Sequence, residues 1–85
     1  MHPIIIPDDA TFENFADGQS VTVYPLLTED YLNQIKQDGM RVQVWHLANT
    51  PPQRHHIGRV LNIGRTVETV PKGKPEAIEL VIQIE

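Results

Sequence analysis

The residues of this 85-residue chain that could do chemistry are bunched in its middle. Gln53-Arg54-His55-His56 is the densest polar cluster, and it follows the proline-stiffened stretch Asn49-Thr50-Pro51-Pro52. His46, Arg41, Arg59, Arg65 and the single tryptophan, Trp45, lie within the same span. Two imidazoles together with His46 would offer metal ligands or a proton relay. The spacing works against that chemistry. Adjacent residues of an extended chain point to opposite faces, so His55 and His56 do not readily share an ion. No H-x-E or H-E-x-x-H pattern supplies a third ligand or a base. No metal site and no cofactor are therefore expected.

Catalysis has no visible carrier either. Ser20 is the one serine and lacks the glycine-flanked elbow of a hydrolase, cysteine is absent, and no phosphate-cradling glycine loop occurs. The acid pairs Asp8-Asp9 and Glu29-Asp30 sit where helix caps and first-turn acids belong. The reading that remains is binding. Arginine forks suit phosphates and carboxylates, and Trp45 beside Arg41 offers a surface on which a base could stack.

The charge map sharpens this reading. Residues 1–39 carry a net charge of −6, residues 40–75 a net +5 and residues 76–85 a net −3, so an overall −4 hides a basic middle. Such asymmetry points to an anionic partner. A small non-enzymatic module is expected to contact nucleic acid or an acidic protein surface through the strand region 40–75. Arg41, Trp45, Arg54, His55, His56, Arg59 and Arg65 are its candidate binding residues. The alternative is a protein-interaction or self-association domain, a homodimer in which acidic helices meet the basic strands of a second copy. Against both stands the plain account that these charges only solvate a surface. The overall pI near 5.4 falls short of the basic balance of most nucleic-acid binders, and no RRM, KH, helix-turn-helix or zinc-finger signature is present.

The elements that would position these residues follow from punctuation and period. Pro3 and Pro7 bracket Ile4-Ile5-Ile6, a run short enough for an edge strand or an anchored arm. Asp8 or Asp9 caps an expected helix from about Asp9 to Asp17, with Phe12, Phe15 and Ala16 on one face and Gly18 ending it. Val21 to Tyr24 alternates as a β-strand up to Pro25. Thr28 caps a second helix whose apolar face is Tyr31, Leu32 and Ile35, closed by Gly39. After Gly39 the period turns to two. Val42, Val44 and His46 share one strand face, with Arg41, Gln43, Trp45 and Leu47 on the other. On that apolar face His46 is expected to be half-buried and hydrogen-bonded. Trp45 is expected to be covered by a helix, the other option being an open platform. A β-prone run from Ile57 to Val70 has Gly64 as a bulge, bend or turn. Ile78 to Ile84 then alternates most cleanly of all.

Helices in the first half and strands in the second read as α+β: an antiparallel sheet of three to five strands, a meander in its C-terminal half, with two short helices covering one face. The length allows a single compact domain over 1–85. With no cysteine, no apolar run near the ~18 residues of a membrane span and no secretory pattern after Met1-His2-Pro3, a cytoplasmic protein without a membrane partner is expected.

Overall fold

Between Leu80 and Ile84 every second side chain is leucine or isoleucine. Leu80, Ile82 and Ile84 are buried while Gln83 is exposed. A strand sends successive side chains to opposite faces, so this pattern commits one face to a core. The same alternation turns Ile4, Ile6, Val21, Val23, Val42 and Val44 inward. The computed structural model describes residues 1–6, 15–46, 55–64 and 73–85, and places the strands as follows.

The elements are β1 (His2–Ile6), β2 (Ser20–Val23), β3 (Leu26–Leu27), α1 (Glu29–Gln37), β4 (Arg41–His46), β5 (His55–Ile63), β6 (Glu76–Ala77) and β7 (Leu80–Ile84). Five strands form one sheet in the order β1-β4-β5-β7-β2, and β3 pairs with β6 in a separate ribbon. The β4, β5, β7 and β2 neighbours are antiparallel, while β1 runs parallel to β4. The ribbon is tied to the sheet where the Ile78 N–H donates to the Pro25 carbonyl at 3.0 Å.

This architecture corrects the expected one. The sheet is mixed rather than antiparallel, and the described residues hold one helix rather than two. The parallel strand is the short isoleucine run, which reaches the sheet edge by a crossover that local pattern does not reveal. Most of the segment expected as the first helix, residues 7–14, lies outside the described residues. Its end is a turn: the Gln19 N–H donates to the Ala16 carbonyl at 3.0 Å, and the Ala16 N–H to the Gln19 side chain at 3.0 Å. Gly18 takes φ +79° there and donates its N–H to the Ile84 carbonyl at 2.7 Å, so this turn docks on the end of β7.

Helix α1 forms for reasons written locally. The Thr28 hydroxyl accepts from the Tyr31 N–H at 3.2 Å, a cap that contributes about 1 kcal/mol. Glu29 and Asp30 occupy the first turn and Lys36 the last, each at its favourable pole of the helix dipole. Leu32 and Ile35 are fully buried in the core formed by the inward face of the sheet. The helix stops at Gly39 (φ +74°) and Met40 (φ +65°), with the Met40 N–H donating to the Ile35 carbonyl at 3.0 Å.

Two further details set the faces. In β5 one residue more than in β7 is fitted between Val60 and Asn62, a β-bulge at Leu61. Val60 is therefore inward, Leu61 and Asn62 are exposed, and Ile63 packs inward again. At the sheet's rim, Pro3 of β1 offers no N–H, and its carbonyl accepts the Tyr31 hydroxyl. The chain has a radius of gyration of 12.3 Å, close to the ~12 Å of a compact domain of this length.

Candidate functional site

The face of the sheet turned away from the core gathers most of the describable binding candidates. Strand register lays them out in rows. Ile5, Trp45 and His55 are paired across β1, β4 and β5; Pro3, Gln43 and Ile57 form the next row; Arg41, Arg59 and Gln83 run across β4, β5 and β7. The Val60 N–H donates to the Met40 carbonyl at 2.7 Å, which makes 40/60 a hydrogen-bonded pair of the β4/β5 ladder. Alternation then puts 41/59, 43/57 and 45/55 at the non-hydrogen-bonded sites, where facing side chains come closest.

At 45/55 that closeness produces an aromatic stack. The rings of Trp45 and His55 lie 4.5 Å apart at 29°. The indole N–H donates to the Gln43 side chain at 3.2 Å, so the tryptophan is held from below and beside. Trp45 is half-buried and His55 exposed. Among the described residues the one helix does not cover the tryptophan, where coverage was expected. Helix α1 packs through Leu32 and Ile35 on the opposite face, the one lined by Val42 and Val44. The apolar face attracts the helix, and that is why α1 lies away from the face bearing Arg41, Gln43 and Trp45.

At 41/59 the register sets two arginines at facing positions. Like charges directly across an antiparallel pair are destabilising. One is answered: Arg41 Nη2 lies 2.6 Å from Glu85 Oε2. Among the described residues, no carboxylate pairs with Arg59, which is exposed. Among the described residues, the pair thus carries more positive charge than its neighbours neutralise.

His56 does not join this face. It sits opposite Val44 on the inward side, its ring 5.3 Å from that of Phe15. Arg54 and Arg65 lie outside the described residues, as does the side chain of His46. Of the seven candidates, then, Arg41, Trp45, His55 and Arg59 share one face. Gln43 and Glu85 were missed, although the parity of Gln43 with Trp45 was a readable signal. Among the described residues no three histidine, aspartate or glutamate side chains converge as metal ligands. No helix among them is long and apolar enough to cross a membrane.

Two other places hold chemistry. A groove of about 750 Å³ is lined by Pro3, Ile5, Tyr24, Leu26, Tyr31 and Pro75, among others. Ligand sites pair apolar walls with a few convergent polar groups. Here the two tyrosine hydroxyls are turned to partners within the fold, Tyr31 to the Pro3 carbonyl and Tyr24 to Glu79 at 3.4 Å. The second place is the C-terminal end of α1, where Asp38 Oδ2 lies 2.9 Å from the Met1 amine and 3.3 Å from His2 Nδ1. The amine's hydrogen bond, aided by its charge and by His2, holds the Asp38 carboxyl below its ordinary value. A lowered folded value means that this contact stabilises above the unfolded value and is lost as pH falls through the folded one. Asp38→Asn is therefore expected to lower the urea midpoint at pH 6–7. The gap to the parent should close as the pH falls through the lowered value of the folded carboxyl, and a gap that persisted in more acid solution would contradict the assignment.

No protein-family model matches this chain, no curated protein matches it, and no solved structure matches it, so its site is interpreted through its own geometry.

Proposed function

We propose that this chain is a small non-enzymatic binding module that contacts an anionic partner through the outer face of its sheet. The observation that carries the reading is the Arg41/Arg59 pair. A fold gains nothing in stability by placing two arginines at facing positions when, among the described residues, a carboxylate answers only Arg41. An anion from outside would relieve that cost, because guanidinium forks donate bidentately to carboxylates and phosphates. The overall charge of −4 bears on this reading as well: it repels a polyanion at distance, so contact depends on the local patch.

The test is binding of a fluorescent 12-nucleotide DNA of mixed sequence, and separately of poly-glutamate, at 50 and 200 mM salt. At least one should bind at 50 mM and weaken steeply at 200 mM, as displaced counterions require. Arg59→Ala should lower affinity and reduce the slope of log affinity against log salt by about one for the nucleic acid. Binding that ignores salt, or an unchanged slope in Arg59→Ala, would overturn the assignment of this face.

A further inference from the structure

We infer that the anionic partner is single-stranded nucleic acid: a base stacks on the exposed His55 and extends the Trp45–His55 stack, while neighbouring phosphates meet Arg41 and Arg59. This inference rests on the reading above and narrows it to one partner.

The argument starts from what the face holds besides charge. An acidic protein surface needs arginines and nothing more. It would leave the aromatic pair unused, yet that pair is the most organised part of the face. Its rings are 4.5 Å apart and near parallel, and the indole is oriented by its hydrogen bond to Gln43. An exposed imidazole fixed on an indole presents one flat π-surface to solvent with little rotational freedom left to lose on binding. Bases stack on such surfaces regardless of sequence, because every base has a π-face.

Spacing supports an oligonucleotide rather than a lone nucleotide. The stack and the arginine pair are four residues apart along β4 and β5, roughly 13 Å at the rise of an extended strand. Between them lie the Gln43 amide and the half-buried Ile57, a polar group and an apolar one. A duplex is the poorer fit. Its bases are already stacked on each other, and reading its major groove takes a helix or a two-stranded ribbon that can enter. Among the described residues this face is a sheet surface with neither standing out from it.

The experiment compares three probes at 50 mM salt: a 12-nucleotide oligothymidine, an abasic strand of the same phosphate count, and poly-glutamate of similar charge. The single tryptophan reports stacking by its own fluorescence. The base-bearing strand should bind about 5- to 100-fold more tightly than the abasic one and change the Trp45 emission. His55→Ala should remove that advantage and leave abasic binding as it was, while Arg59→Ala weakens both strands. Circular dichroism on each variant checks that the sheet is intact, which the exposure of His55 and Arg59 favours. Equal binding of the two strands would sink the stacking inference and leave the anionic reading standing. Poly-glutamate binding as tightly as oligothymidine would replace nucleic acid with an acidic protein. If none of the three binds, the anionic reading itself falls.

Discussion

Replacing Ile82 with alanine is expected to remove about 2–5 kcal/mol of stability. Ile82 is fully buried and has a strand on each side, with Val60 of β5 and Val21 of β2 paired to it across the sheet. Truncation loses the transfer free energy of three carbons and leaves a cavity that both flanking strands are too well hydrogen-bonded to close. A domain of this length holds on the order of 5–10 kcal/mol in all, so the loss is a large share of the total. The check is urea unfolding followed by circular dichroism, with Ile5→Ala as the control. Ile5 is 56% exposed on the outer face, and its truncation should stay within about 0.5 kcal/mol. Equal effects at the two positions would mean that the inward and outward faces have been assigned wrongly.

Gly58→Ala should also destabilise, by about 1–3 kcal/mol, although alanine is the less flexible residue in the unfolded chain. Gly58 lies on the inward face of β5, opposite Val42 on one side and Ile84 on the other. A Cβ built there collides with Ile82 Cγ2 and comes within 3.1 Å of the Gln83 carbonyl oxygen. The isoleucine can be displaced, whereas the carbonyl belongs to the neighbouring strand's backbone. Glycine is present because the strands approach closely, and no positive φ is involved. Two residues in contact couple, so Gly58→Ala combined with Ile82→Ala should cost less than the two single changes added together. Strict additivity in that cycle would show that the crowding at Gly58 is not relieved by removing the isoleucine.

These two positions also mark how far the sequence could be read. The alternation of Leu80, Ile82 and Ile84 announces a strand and its buried face, and Thr28 with Leu32 and Ile35 announces a capped helix with one apolar side. In each case the cause is local. The face shared by Arg41 and Trp45 is equally local, since it follows from parity alone. What parity does not say is which face the helix will take. The valines at 42 and 44 hold that answer, and weighing them against Arg41 and Gln43 would have put α1 on the face away from Trp45. Other features depend on partners distant in sequence. The parallel pairing of Ile4 with Val44 spans forty residues, and no periodicity encodes it. The bulge at Leu61 shifts the inward set from even to odd positions within a run that otherwise looks like one continuous strand. The crowding at Gly58 exists only once β7 lies beside it. Of the helix expected near residues 9–17 only the end is described, and there Ala16 and Gln19 close a turn through Gly18.

The rim at β1 has a consequence for how the protein behaves in company. Three consecutive isoleucines in an extended segment at a sheet's edge form the kind of template that recruits a like segment from another molecule and grows into fibrils. Pro3 brings no donor to such a pairing, and the hydroxyl of Tyr31 already occupies its acceptor. Pro7 stands just beyond the run in sequence. Backbone groups alternate in direction along a parallel strand, so beyond Pro3 the one rung that β1 still offers an arriving chain is Ile5. One rung does not nucleate a ladder. The proline and the tyrosine hydroxyl together act as gatekeepers against aggregation, letting the chain keep an isoleucine-rich edge for its core at high concentration.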